Sequence, residues 1–101
     1  MQISTGLATN RSLITAEGEG IFRLTDATEA NFNRIQLGGT SASFPAIKRN
    51  GTGIDFKLAN DSAYCPISAS SYSVGTTAGV SGTITAASTV TVVNGIITSI
   101  V

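Results

Sequence analysis

The sequence has no histidine, no tryptophan and a single cysteine, and it is poor in aromatic side chains. Without histidine a Ser-His or Cys-His nucleophilic pair cannot form, and the commonest ligands of zinc and haem are missing. We therefore expect a protein that is not an enzyme and holds neither a metal nor a cofactor. Cys65 has no second thiol with which to form an intrachain disulfide, and we expect it to be a small buried hydrophobe.

Charge is scarce and balanced. Six basic and six acidic residues cancel formally, and charged residues make up 12% of the chain, about half of the usual quarter. A neutral chain has no overall attraction for nucleic acid or for an anionic membrane, and we expect neither as a partner. Apolar runs last only a few residues, whereas a transmembrane helix needs ~20. We see no charged segment followed by an apolar stretch and expect no signal peptide.

Composition divides the chain into three segments. Residues 1–20 are rich in Thr, Ser, Asn and Gly, and we expect a loosely ordered or partner-dependent lead segment for attachment. Residues 21–72 predict a module of β-strands. Residues 73–101 are rich in Ser, Thr and Gly, and no side chain after Asp61 is charged. The change in charge indicates a change in environment along the chain.

The middle segment reads as short strands separated by turn signals, with strands predicted over residues 21–24, 32–37, 43–49 and 54–58. Pro45 places its strand at a sheet edge or at a strand start. Asn50-Gly51 is a strong turn signal. Alternation of Ile54, Phe56 and Leu58 with charged residues predicts a half-buried strand with one wet face. Helical apolar spacing is missing, apart from a single turn that residues 26–31 could form, so the fold class is all-β with short strands and hairpins.

The last segment predicts a β-hairpin with two apolar faces. Asn94-Gly95 separates two β-branched runs, residues 89–93 and 96–101, which is typical of a two-residue hairpin turn. A hairpin in a small monomer normally has one solvated face. In this hairpin the valines and isoleucines are shared between both faces, and one chain of 101 residues has too little other apolar mass to cover them. The cover must come from other copies, so we expect folding to require oligomerisation.

Two stretches of the sequence are similar to a known class of proteins. Residues 35–49 and 51–64 together resemble a module that recurs in tail-fibre and other virion structural proteins of tailed bacteriophages. Residues 79–84 and 89–100 resemble the usual C-terminus of the same proteins. The resemblance covers about two thirds of the chain and does not include residues 1–20.

The resemblance implies an elongated, intertwined homotrimer of the β-prism or triple-β-helix type, located in the virion and in contact with other virion proteins. Tail fibre, head fibre, spike and capsid decoration all stay open. We expect a non-enzymatic structural protein made in the host cytoplasm. The expected oligomer interface consists of Val90, Val92, Val93, Ile96, Ile97, Ile100 and Val101, with a second layer from Ile54, Phe56 and Leu58.

Other side chains suggest a different use of the same surface. Tyr64, Tyr72 and Lys48 could contact a host surface glycan, which would make the chain a receptor-binding tip. Lys48 would otherwise lie at a solvated hairpin tip and pair with Asp55. Asp55, Asn60 and Asp61 could gather around a cation if three chains converged on an axis, although their spacing favours turns. Glu17 and Glu19 would share one face of a strand, as a glycan-cleaving spike would need, but they lack aromatic support.

Overall fold

The structure is a computed structural model that describes residues 2–4, 11–86, 89–90, 92 and 95–100. Within these ranges there is no helix, and hence no helix that could cross a membrane. All paired strands are antiparallel, and they form three small sheets. The strands are β1 (Gln2–Ser4), β2 (Arg11–Gly18), β3 (Ile21–Asp26), β4 (Arg34–Gln36), β5 (Pro45–Asn50), β6 (Gly53–Leu58), β7 (Ser73–Val74) and β8 (Thr77–Ala78). The expectation of an all-β fold is confirmed.

The chain divides into two compact units, residues 1–66 and 67–101. The first sheet of the first unit has the order β1-β2-β3. Its β2–β3 hairpin turns at Gly20, whose φ of 74° favours glycine, and a register shift lies between Ala16 and Gly18. Leu13 and Thr25 are Cα partners across the hairpin and both are buried. Residues 11–18 of the expected lead segment thus form a strand paired with β3, and the role of residues 1–20 in attachment stays a prediction.

The second sheet has the order β4-β5-β6 and follows the sequence prediction closely. β5 begins at Pro45, where a missing N–H costs no ladder hydrogen bond. Asn50 and Gly53 are Cα partners, so Gly51 and Thr52 form the loop between β5 and β6. Gly51 has a φ of 59°, which glycine adopts without strain. The predicted turn is confirmed, and it fixes the register of the hairpin.

An aromatic ring lies directly on the backbone between β4 and β5. A Cβ atom placed on Gly39 would lie 2.5 Å from a ring carbon of Phe44, and one on Gly38 would lie 2.8 Å from another. Gly38 also has a φ of 105°, a conformation that other residues rarely adopt. The glycine pair is therefore required by the close approach of the Phe44 ring.

After β6 the chain folds back over one side of the second sheet. Ala59 is fully buried, and its N–H donates to the carbonyl of Phe44 at 2.8 Å. Its carbonyl accepts two side-chain hydrogen bonds, from Arg34 Nε at 2.9 Å and from Gln36 Nε2 at 2.8 Å. The N–H of Cys65 then donates to the carbonyl of Phe56 at 3.0 Å. These bonds attach residues 59–65 to the sheet, and Cys65, expected to be buried, is half-buried.

The second unit has very little interior. Its strands β7 and β8 pair in a short hairpin, and the N–H of Val80 donates to the carbonyl of Ile97 at 2.8 Å. None of the residues described between 67 and 100 is buried. Gly95 lies in a turn with a φ of 78°. Asn94 lies outside the described residues, and the described neighbours of this turn belong to no strand, so the C-terminal hairpin stays a prediction.

Candidate assembly surface

One side of the second sheet carries its polar side chains, and residues 59–64 cover part of it. This polar face consists of Arg34, Gln36, Ala46, Lys48, Asp55 and Lys57, which alternate along the three strands with apolar residues. The covering segment is held by the two hydrogen bonds to the Ala59 carbonyl and by ion pairs of Asp61 with two lysines. The side chain of Lys57 is only 15% exposed. The polar face of β6 is therefore only partly wet, because Lys57 is largely covered whereas the hydrogen bond between Asp55 and Asn50 is exposed.

The opposite side of the same sheet is only partly covered. This apolar face consists of Ile35, Leu37, Ile47, Ile54, Phe56 and Leu58. Ile35, Ile47 and Phe56 are successive Cα partners and form a row across all three strands. Ile54 is 68% exposed and Phe56 39%, whereas Ile47 and Leu58 are half-buried. The apolar face is therefore more open to solvent than the covered apolar face of an ordinary antiparallel sheet.

A groove runs along this apolar face between the two sheets of the first unit. It has a volume of about 490 Å³, and its apolar walls are Leu24 from β3, Phe32, and Ile35, Ile47 and Ile54 from the second sheet. Arg49, the Cα partner of Ile54, lies at its rim. Ligand pockets are often lined in this way, but they normally hold several convergent polar groups. The groove is therefore better suited to apolar side chains than to a polar small molecule.

The expected interface residues all lie on exposed or half-buried positions where the structure describes them. In the second unit Val90, Val92 and Ile100 are exposed by 53%, 44% and 37%, and Ile96 and Ile97 are half-buried. In the first unit Ile54 and Phe56 are exposed and Leu58 is half-buried. Val93 and Val101 lie outside the described residues. Whether these side chains meet other copies stays a prediction.

Asp61 is the centre of the charged cluster on the polar face. It adopts a left-handed conformation with a φ of 66°, and its carboxylate accepts a hydrogen bond from Lys48 Nζ and lies 3.4 Å from Lys57 Nζ. The hydrogen bond from Lys48 holds the pKa of Asp61 below its ordinary value; desolvation opposes this, and Lys57 adds to the lowering. The predicted pairing of Lys48 with Asp55 is wrong, since Asp55 instead accepts a hydrogen bond from Asn50 Nδ2 at 3.2 Å.

The expected ligand residues fall into two places. Tyr64 is 68% exposed, and Lys57 Nζ lies 4.4 Å from the centre of its ring, so Tyr64 and Lys48 both belong to the cluster around Asp61. Tyr72 belongs to the second unit, and its hydroxyl donates to the carbonyl of Ile67 at 2.5 Å. Sequence reasoning missed Lys57, because a spacing of four residues to Asp61 indicates contact only on a helix and Lys57 lies in β6.

The described residues contain no group of three or more acidic, cysteine or histidine side chains that could hold a metal ion. Asn60, considered as a cation ligand, instead accepts hydrogen bonds from the N–H and hydroxyl of Ser62, as in an Asx turn. Glu17 forms an ion pair with Arg23 at 3.4 Å. These oxygens therefore have structural partners.

The structure also exposes two large apolar side chains that sequence reasoning did not assign to any surface. Phe22 is 76% exposed and Ile21 57%, both at the start of β3 beside the turn at Gly20.

A search of protein-family models, curated proteins and solved structures finds no match to this chain. The geometry of these surfaces and the resemblance to phage fibre proteins are therefore the two guides to function.

Proposed function

We propose that this chain is a non-enzymatic structural protein that is stable as a homotrimer and forms a fibre, spike or decoration of a bacteriophage virion. The observation that carries the proposal is the open apolar face of the second sheet. Residues 59–64 cover part of the polar face, whereas Ile54 and Phe56 on the apolar face stay exposed. A row of exposed apolar side chains on one face of a sheet is a common site of association with another protein surface.

Identical copies are the simplest source of that surface. The second unit has no buried side chain among its described residues, and a segment of about 35 residues without a core does not fold stably by itself. The number three and the elongated, intertwined architecture come from the resemblance to phage fibre proteins.

The proposed role is mechanical. Strands contributed by several chains would bury Val92, Ile97 and their neighbours between copies, so that no chain could unfold without separating from the others. Such an assembly resists proteases because local opening requires loss of the whole interface. Other virion proteins would hold its base, and its outer surface would face the host.

The test is the native mass of the purified full chain, measured by light scattering on a sizing column and by sedimentation equilibrium. We expect three copies of the 10.3 kDa chain, about 31 kDa. Electron microscopy of virions labelled with an antibody against the chain should then place it on the particle. A folded monomer at micromolar concentration would overturn the proposal.

A second candidate function is a receptor-binding tip that recognises host glycan. It is favoured by the exposed ring of Tyr64, since a sugar can stack on an aromatic face that is open to solvent. Replacing Tyr64, Tyr72 and Lys48 together by alanine should then abolish adsorption to host cells and leave the native mass unchanged. Normal adsorption of virions that carry this triple variant would favour the purely structural function.

A further inference from the structure

A homotrimer with a three-fold axis places a requirement on its subunits. In such a ring each contact is heterologous, meaning that one patch of a copy packs against a different patch of the next copy. Each chain must therefore carry two complementary surfaces. This inference rests on the proposed function, and it concerns which two surfaces meet.

The first surface is the apolar groove described above. Ile54 is the most exposed of its apolar walls, at 68%. Arg49 lies at the rim, where its Nε donates to the carbonyl of Gly51 at 3.0 Å and its Nη1 to Asn31 Oδ1 at 3.3 Å. Both partners are neutral, and no carboxylate of the described residues forms an ion pair with Arg49. The groove thus offers apolar walls and one cation without a counter-charge.

The second surface is the tip of the β2–β3 hairpin, residues 17–22. Phe22 is the most exposed large apolar side chain in the described part of the molecule, at 76%, and Ile21 beside it is 57% exposed. Glu19 precedes them in the turn and forms no ion pair with any described residue. The tip thus presents an aromatic anchor and one anion without a counter-charge.

The two surfaces are complementary in size and in charge. An aromatic side chain inserted into a desolvated apolar pocket is the commonest kind of dominant contact in protein interfaces. Opposite charges at the edge of such a contact fix its orientation and disfavour other partners. Phe22 does not fill the groove of its own chain, because it is largely exposed there. We propose that the hairpin tip of one copy occupies the groove of the next, with Phe22 against Ile54 and Glu19 beside Arg49.

Cysteine cross-linking tests this contact without removing the aromatic anchor. In a Cys65→Ser background, chains carrying Glu19→Cys and chains carrying Arg49→Cys are tagged differently, mixed, unfolded, refolded together and oxidised. We expect a covalent dimer that contains one chain of each kind. Chains carrying Asp55→Cys are the matched control for the acceptor, because Asp55 lies on the opposite face of the sheet at the neighbouring position of β6. They should not cross-link to Glu19→Cys.

Substitutions supply a second measurement. Phe22→Ala should weaken each subunit contact by about 30-fold or more, as truncation of a buried aromatic anchor does. Glu19→Lys and Arg49→Glu should each weaken it about fivefold, and the double variant should recover most of that loss, because the charges are exchanged. Sedimentation equilibrium over a range of concentrations measures all four.

The outcomes separate this inference from the proposed function. A trimer with the mixed cross-link and with recovery in the double variant supports both. A trimer in which Glu19→Cys cross-links to Asp55→Cys, or only to itself, or in which the double variant recovers nothing, overturns the inference and leaves the trimer. A folded monomer overturns both.

Discussion

Replacing Ile54 by serine should weaken assembly strongly, because most of this side chain is open to solvent in the single chain. Complete burial of an isoleucine is worth about 1.5–3 kcal/mol, and 68% of Ile54 is exposed in the single chain. About 1–2 kcal/mol of its burial is therefore available only when another copy covers it. Over three subunits this amounts to about 3–6 kcal/mol, a factor of about 10²–10⁴ in the association constant.

Sedimentation equilibrium over a thousandfold range of concentration measures this change. Since three monomers form one trimer, the concentration at half-assembly should rise by about the square root of that factor, 10- to 100-fold. Asp55→Ser is the matched control, because Asp55 is the next residue of β6 and belongs to the polar face. An unchanged half-assembly concentration for Ile54→Ser, or an equal shift for Asp55→Ser, would refute the argument that the apolar face is the interface.

Three further predictions follow from other parts of the chain. Val92→Asp or Ile97→Asp should abolish assembly, because a charge would enter the expected interface; a soluble, assembled variant in analytical ultracentrifugation would contradict this. Gly39→Ala should destabilise the fold by about 1–3 kcal/mol in urea unfolding, since the new methyl group meets the Phe44 ring, and the loss should shrink in a Phe44→Leu background. The pKa of Asp61 is lowered in the fold. The contribution of its carboxylate to stability is therefore complete above the ordinary pKa of an aspartate, about 4, and is lost as the pH falls through the lowered pKa. Urea midpoints at pH 6 and pH 3 should therefore differ less for Asp61→Asn than for the natural chain.

Local signals predicted the second sheet well. Asn50-Gly51 and the alternation of Ile54 and Phe56 act within a few residues, and the structure has the hairpin they indicate. β2 was missed although Ile14 and Thr15 favour strands, because Ala16 and Gly18 are depleted in strands and interrupt the pattern. Its strand character becomes visible only through its pairing with β3.

The covered polar face could not be predicted from the sequence. It depends on Lys48 reaching Asp61, 13 residues further along the chain, and on Arg34 and Gln36 reaching Ala59, more than twenty residues away. Periodicity shows which residues share a face but not which face the rest of the chain will cover. The sequence therefore predicted Ile54, Phe56 and Leu58 as residues of the candidate surface. It did not predict the groove that Ile54 forms with Leu24 and Phe32.

The segment that ties Ala59 and Asp61 to the second sheet makes the two sides of that sheet unequal. A sheet that can pair face to face on both sides can stack without end, as sheets do in amyloid fibrils. On the polar side, Arg34, Gln36 and Lys48 already use their donors within the chain, so stacking through that side would first have to break those bonds. We therefore expect uncontrolled stacking of this sheet to be disfavoured on its polar side.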